Sequence, residues 1–383
     1  MQHPNDGPIG GRAGVSRRRV LQGLGVAALV AAAPGAWAPE AWAQQAAPLT
    51  VGFVYAGLRA DFGINQAHAD AARAVATLPG VTVAEAEGTA ADLPSQVEDM
   101  VLSRGCRVVF VTDPGDWATT LLAQADAHRD TAFLLRGAAL ADLRLPGNVG
   151  VYDAHIYEGQ HVCGIVAGYA SRAQRVGFVA GGDSPRILRA VNAFALGVRR
   201  ADSTATVRLL RLGEGATAEA VTKAGRELVA DGVDVLAGHV DSVRPLCEVA
   251  EAAGILCCGL HTDLSAIAPH GFLTGAEWHW TNFYADVITR IQQGHPWPRL
   301  TRGGFGSGLV RSTKYGAPAG VDARAHADAA RMQLANGNAA VFRGPITDNT
   351  GRTVLGKGQS LRSDDPALDR IVWLADGVSV AGF

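Results

Sequence analysis

The 383-residue chain is poor in several things at once. Its five cysteines, Cys106, Cys163, Cys247, Cys257 and Cys258, are an odd, scattered set with no C-x-x-C spacing. Such a set argues against a disulfide framework, and most of the five fall in apolar stretches where cysteine packs as a small hydrophobe. No apolar run approaches the roughly 20 residues a membrane-spanning helix needs. There is no basic cluster either: 34 Lys and Arg stand against 36 Asp and Glu. Nucleic acid and anionic membranes both require clustered cations, so neither is an expected partner. The first strand-to-helix loop lacks G-x-G-x-x-G and GK[ST], which argues against dinucleotide and P-loop sites. No G-x-S-x-G nucleophile elbow occurs. Repeats of solenoid period are also missing.

What is present begins at the N-terminus. Ser16-Arg17-Arg18-Arg19-Val20-Leu21-Gln22 precedes an apolar run, Leu24 to Ala33, then Pro34 and the triplets Ala36-Trp37-Ala38 and Ala41-Trp42-Ala43. A charged start, a short apolar stretch and a small-x-small site make an export signal, and paired arginines mark the twin-arginine route. Residues 1–43 are therefore expected to be removed, and with no cysteine near the cleavage point no lipid is attached there. The expected destination is the periplasm. The chain beyond residue 43 has a net charge of −4.

Beyond the signal, short apolar runs alternate with helix-length amphipathic stretches. The strand candidates are Leu49–Tyr55, Val81–Glu87, Val108–Thr112, Ala132–Leu135 and Val149–Tyr152, then Val176–Ala180, Thr206–Leu212, Val235–Gly238, Ile255–Leu260 and Phe272–Gly275. Helices are expected at Asn65–Thr77, Leu93–Arg104, Trp117–His128, Glu158–Ser171, Pro185–Ala201, Ala216–Asp231, Val243–Ala253, Phe283–Gln293 and Asp322–Ala335. This alternation predicts an α/β protein with two doubly wound parallel sheets of four or five strands each. Strands apolar without alternation fit sheets covered on both faces. Gly105, Gly232 and Gly254 stand where a left-handed helix cap is needed. One lobe should hold 48–154 with roughly 279–305, the other 155–277 with roughly 306–383. Hinges are expected near Tyr152–Glu158 and Thr274–Trp278, with a third crossing later.

In open parallel sheets, ligands bind beyond the carboxyl ends of strands. The residues found there are Asp61, Ile64 and Asn65 after the first strand, Trp117 after the third, and Tyr152 and His155 at the fifth. The second series supplies Asp241, His261, Asp263, Trp278 and Trp280. Aromatic rings with polar neighbours suit a flat heterocycle. Each residue also has a plainer use: a lone acid at a strand tip often caps the next helix, and one of two alternating tryptophans can simply pack under a sheet. The pairs His239/Asp241 and His261/Asp263, with His279 near, leave open a zinc or manganese site or a hydrolytic dyad. The absent elbow and undiagnostic spacing weigh against both.

In order along the chain, Val51-Gly52-Phe53-Val54-Tyr55, Asn148-Val149-Gly150 with Tyr157-Glu158-Gly159, Gly164-Ile165-Val166-Ala167-Gly168 and Val176-Gly177-Phe178-Val179-Ala180 form a familiar set. Asn192-Ala193-Phe194-x-Leu196-Gly197, His239-x-Asp241-Ser242, Trp278-x-Trp280 and Phe342-x-Gly344-Pro345-Ile346 with Asp348 and Gly351 continue it. The chain thereby resembles the basic membrane protein (Bmp/PnrA-like) family of ABC-importer binding proteins. That resemblance implies a two-lobed type I periplasmic binding fold, no enzyme activity and no cofactor. It further implies a monomer that hands a small ligand to an inner-membrane permease, the ligand being a purine base or nucleoside stacked on aromatic rings. This chain has Ile64 and Gly182 where many relatives carry an aromatic residue. It has Trp278 and His261 where nucleoside-binding relatives carry a lysine and an acid against the ribose, so a free base is the expected ligand. A ligand-presenting sensor and a nucleoside hydrolase are the rival readings.

Overall fold

A computed structural model describes residues 47–381; the signal expected at 1–43 lies outside them. The first lobe opens with β1 (Leu49–Tyr55), α1 (Ile64–Val75), β2 (Val81–Glu87), α2 (Leu93–Leu102), β3 (Val108–Val111), α3 (Ala118–Ala127), β4 (Ala132–Arg136) and β5 (Val149–Ala154). The chain crosses into α4 (Ile156–Ala170), β6 (Arg175–Gly181), α5 (Pro185–Ala201), β7 (Thr206–Leu212), α6 (Ala218–Ala230), β8 (Val235–His239), α7 (Arg244–Ala253), β9 (Leu256–His261) and β10 (Phe272–Trp278). It returns for α8 (Thr281–Gln292) and β11 (Leu300–Gly303), then crosses again to β12 (Val310–Ser312) and α9 (Val321–Ala335). Two short antiparallel pairs follow, β13 (Phe342–Arg343) with β16 (Ser360–Leu361) and β14 (Ile346–Thr347) with β15 (Thr353–Leu355), and β17 (Val378–Val380) closes the chain.

The sheets run β11-β5-β4-β3-β1-β2 and β12-β10-β9-β8-β6-β7-β17. All strands of the first are parallel, and in the second only β12 is antiparallel, to β10. They hold six and seven strands rather than four or five, because β11, β12 and β17 add to their edges. The inner strands are buried on both faces, β3, β4 and β5 along their whole length. That explains apolar runs without alternation. Gly105, Gly232 and Gly254 all adopt left-handed φ (63°, 81° and 66°), as a helix C-terminal cap demands.

The three lobe crossings fall at Ala154–Ile156, His279–Trp280 and Gly304–Leu309. The second lies just past the expected Thr274–Trp278, because β10 keeps its place in the second sheet through Trp278. Helix α4 anchors that lobe. It is buried all round from Ile156 to Gly168, its polar Glu158, Gln160 and His161 included. It meets α5 backbone to backbone: a Cβ on Gly164 would lie 2.1 Å from the Phe194 carbonyl oxygen, and one on Gly197 2.2 Å from that of His161. The larger apolar core is continuous through Tyr152, Trp280 and Tyr284 into both lobes.

Candidate binding site

The carboxyl ends of the two sheets face each other, and the loop after β1 is the first point of contact. Its Asp61 carboxylate accepts hydrogen bonds from the backbone N–H groups of Gly63 (2.7 Å), Asn65 (2.9 Å) and Gln66 (3.0 Å) and from Asn65 Nδ2 (3.0 Å). Asp61 thus serves as the cap of α1. Asn65 in turn accepts from Thr112 Oγ1 at 3.1 Å, which ties this loop to the tip of β3. The loop touches the other lobe directly. The N–H of the buried Ile64 donates to the Asp241 carbonyl (3.1 Å), Ser242 Oγ donates to the Phe62 carbonyl (3.1 Å), and the Arg244 guanidinium lies 4.4 Å from the Phe62 ring centre. A Cβ on Gly63 would sit 2.0 Å from the Asp241 carbonyl oxygen, so the approach requires glycine.

Deeper in, aromatic rings converge from both lobes. Trp280, on the second crossing and fully buried, stacks on His68 of α1 with centroids 5.0 Å apart and planes at 8°. Tyr152 meets Trp280 edge-on at 5.2 Å, and Trp278 lies 5.5 Å from Trp280 and 4.5 Å from His261. His68 Nδ1 is 2.5 Å from Tyr284 Oη, which is 3.2 Å from Tyr152 Oη. His261 holds a left-handed backbone (φ 70°) that few non-glycine residues adopt, and such strain tends to gather at functional sites. Its Nε2 faces the Val240 carbonyl at 3.2 Å, so that nitrogen carries the proton and Nδ1 offers a lone pair. A recess of about 330 Å³ opens beside the rings, with Gln66, Asp70, Asp263, Trp278, Trp280 and Arg311 in its wall.

Charge surrounds the rings. Arg136, at the tip of β4, is 3% exposed and is held by the Asp113 carboxylate and the Thr112 carbonyl; its guanidinium lies 5.1 Å from the Trp278 ring centre. Burial and then the charge of Arg186 push the His239 pKa well down; burial brings His261 down to about 3. Both rings are neutral at pH 7. Burial and the Asp113 carboxylate push Asp241 up. Five buried ring nitrogens here have no hydrogen-bond partner among the described residues, Trp278 Nε1, Trp280 Nε1, His68 Nε2, His239 Nδ1 and His261 Nδ1, and Thr262 Oγ1 beside them has none either. Buried polar atoms nearly always find partners.

A family model for PnrA-like ABC transporter substrate-binding proteins matches residues 49–305. The chain belongs to that family. It is 26% identical over 325 residues to a purine-binding protein of Brucella abortus, covering 84% of this chain and 90% of that one. A Haloferax volcanii protein that bears the name of an ABC transporter glucose-binding protein is 25% identical over 295 residues, with 76% and 73% covered. Among solved structures, an ABC transporter solute-binding protein of Conexibacter woesei is similar at a TM-score of 0.65 and 25% identity, covering 76% of this chain and 97% of the other. The fold is the two-lobed α/β fold of periplasmic binding proteins. Members of the family bind small molecules for a membrane permease and are not enzymes. No helix among the described residues is long and apolar enough to cross a membrane.

Within this binding protein, the residues singled out by sequence are brought together unevenly. Tyr152, His261, Trp278 and Trp280 share one cluster; Asp61, Ile64, Asn65 and Asp241 shape the loop contact beside it. Trp117 is 37% exposed on a short turn and makes no ring contact among the described residues. Asp263 stands at the surface, where its carboxylate accepts from Ser265 N at 2.9 Å. His155 is buried at the first crossing, 5.6 Å from Tyr157, with its pKa lowered by burial to about 4. The His239 and His261 rings are 5.9 Å apart, but among the described residues no three His, Cys, Asp or Glu side chains converge to hold a metal. His68, Tyr284, Arg136 and Arg186 were missed by reading strand tips. The available signal was a histidine on the buried stripe of α1 and an arginine ending an apolar strand.

Proposed function

We propose that this protein captures a free purine base, or a closely related flat heterocycle, between its lobes and delivers it to an importer permease. The observation that carries the reading is the ring cluster of Trp278, Trp280, Tyr152, His68 and His261 with its four unpaired polar atoms, and a fifth on the neighbouring His239. Stacking binds a planar ligand, and the polar atoms pair with its edge. The Brucella abortus relative, by its name a purine binder, supports the same class. Trp278 and His261 disfavour a ribose: an indole has a single N–H donor, and sugar hydroxyls placed against its face lose hydration without recovering it. Closure is a hinge motion about the three crossings. The lobe division at 48–154 and 155–277, with 279–305 and 306–383 returning, makes those crossings the hinges. Export through the twin-arginine signal puts the protein in the periplasm, unlipidated, as a monomer without cofactor.

Thermal denaturation tests the reading. A ligand at a hundredfold excess over its Kd adds about 2.7 kcal/mol to the folded state. Unfolding entropy near 2.1 cal/mol/K per residue over roughly 340 residues gives about 0.7 kcal/mol/K. The melting temperature should therefore rise by about 4 °C with at least one purine base. No rise across bases, nucleosides and related heterocycles removes the purine reading and leaves the family intact.

A further inference from the structure

Two guanidinium groups enter the cleft from opposite lobes, and only one of them is paired. Arg136 from β4 is occupied by Asp113 and the Thr112 carbonyl. Arg186, in the first turn of α5, is half-buried and has no hydrogen bond or ion pair among the described residues. Arg186 follows directly on β6, whose Ala180 lies opposite His239 of β8, so it stands at the carboxyl end of the second sheet; the His239 ring is 5.9 Å from His261, which is 4.5 Å from Trp278, and Arg136 of the other lobe lies 5.1 Å from that same indole. Arg136, Asp153, Asp113 and Asp241 are the charges that act on Arg186 in turn; burial, then Arg136, lowers its pKa. Asp153 is 3% exposed and its carboxylate also lacks a hydrogen bond among the described residues.

The unmatched groups have a definite polarity. Trp278 Nε1 and Trp280 Nε1 are donors only, and a guanidinium has five N–H donors and no acceptor. Acceptors are present too, the Asp153 and Asp241 carboxylates and the His261 Nδ1 lone pair, while the free nitrogens of His68 and His239 donate or accept according to tautomer. A ligand that completes this set presents several acceptors on its rim and a smaller number of ring N–H groups. Adenine has no carbonyl oxygen to offer the guanidinium, and its amino group adds only donors. A purine with carbonyl oxygens on its six-membered ring offers acceptors to the arginine and the indoles, and its ring N–H groups to the carboxylates.

Resting on the purine reading above, we propose that Arg186 is a specificity-determining residue that pairs with a carbonyl edge of the ligand, so that the cleft selects oxo-purines over amino-purines. Calorimetry with adenine, hypoxanthine, xanthine and urate on the wild-type chain and on Arg186→Gln reads this directly. At least one oxo-purine should bind about tenfold or more tighter than adenine, and Arg186→Gln should weaken that oxo-purine about 10- to 100-fold, as loss of a charged hydrogen bond does. Adenine should weaken far less. Because Arg186 holds no partner in the fold, the variant should keep the wild-type melting temperature without ligand, which separates lost binding from lost structure. Adenine binding as tightly as every oxo-purine overturns the inference and leaves the purine reading standing. Equal loss of adenine and oxo-purine in the variant also overturns it. Binding of none of the four by the wild-type chain overturns the inference together with the reading it rests on.

Discussion

Lowering the pH from 7 toward 5 favours the unfolded chain, where the histidines that the fold buries in neutral form can take up protons. Burial holds His155 and His161 at about 4 and His261 at about 3, and it pushes His68 and His239 down as well. In the unfolded chain each titrates near 6.5. A group whose pKa is depressed by folding contributes its stability fully above the unfolded value and loses it as pH falls toward the folded one. At pH ~5.5 the first three histidines take up about three protons on unfolding. Glu158 opposes them. It is 6% exposed, its pKa is raised by burial to about 7, and its one hydrogen bond comes from Phe305 N (2.9 Å), so it releases about one proton. A net uptake of about two protons costs about 2–3 kcal/mol per pH unit between roughly 6.5 and 4. His68 and His239 steepen that loss, while Asp241 and Glu277, both raised, moderate it. Against a typical stability of ~5–15 kcal/mol the effect is large. Urea unfolding followed by tryptophan fluorescence at pH 7.5, 6.5, 5.5 and 5.0 should show the midpoint falling steeply with little change in slope. His161→Gln, remote from the cleft, should flatten the dependence by about one proton. An unchanged midpoint between pH 7.5 and 5.0 would refute neutral burial of these rings.

Other outcomes follow from single features. Gly197→Ala forces α4 from α5, since its Cβ would meet the His161 carbonyl oxygen at 2.2 Å; a loss of about 1–3 kcal/mol in urea unfolding is expected. Arg17→Lys with Arg18→Lys should leave unprocessed precursor in the cytoplasm, because the twin-arginine route reads those side chains as an address; mature protein still found in the periplasm by fractionation would exclude that route. Free bases should bind about a hundredfold tighter than their nucleosides, two unpaired ribose hydroxyls at ~1–3 kcal/mol each; calorimetry with hypoxanthine against inosine measures it, and equal affinity would show that Trp278 and His261 do not face the sugar.

The inner strands were legible as short apolar runs bounded by turn residues, because both their faces are buried, and the half-exposed β2 was legible as a β-branched run. The late edge strands β11, β12 and β17 were not. Leu300–Gly303 is short and half-exposed, and it joins the first sheet only by lying beside β5 after two lobe crossings. The site shows the same division. Trp278, Trp280, Tyr152 and His261 stand at strand tips, where topology alone directs attention. His68 and Tyr284 reach the cluster from helices, on faces where Ile64, Ala67, Ala71 and Val75 or Phe283 and Val287 look like ordinary core. Arg136 closes the apolar strand Ala132–Arg136 and reads as its boundary, although its guanidinium turns back over Trp278. Trp117 illustrates the opposite error of weighting, a ring after a strand that the short turn Gly115–Trp117 leaves at the surface.

The central claim is that the ring cluster holds a purine, and titration calorimetry of the ligand-stripped protein with purine bases and, separately, with glucose tests it most directly. A bound planar base, one molecule per chain, with binding abolished in Trp280→Ala and no heat from glucose, is the predicted result. Saturable binding of glucose with none of any purine base would contradict it, and would align this chain's ligand with the name of its Haloferax volcanii relative instead of the Brucella abortus one.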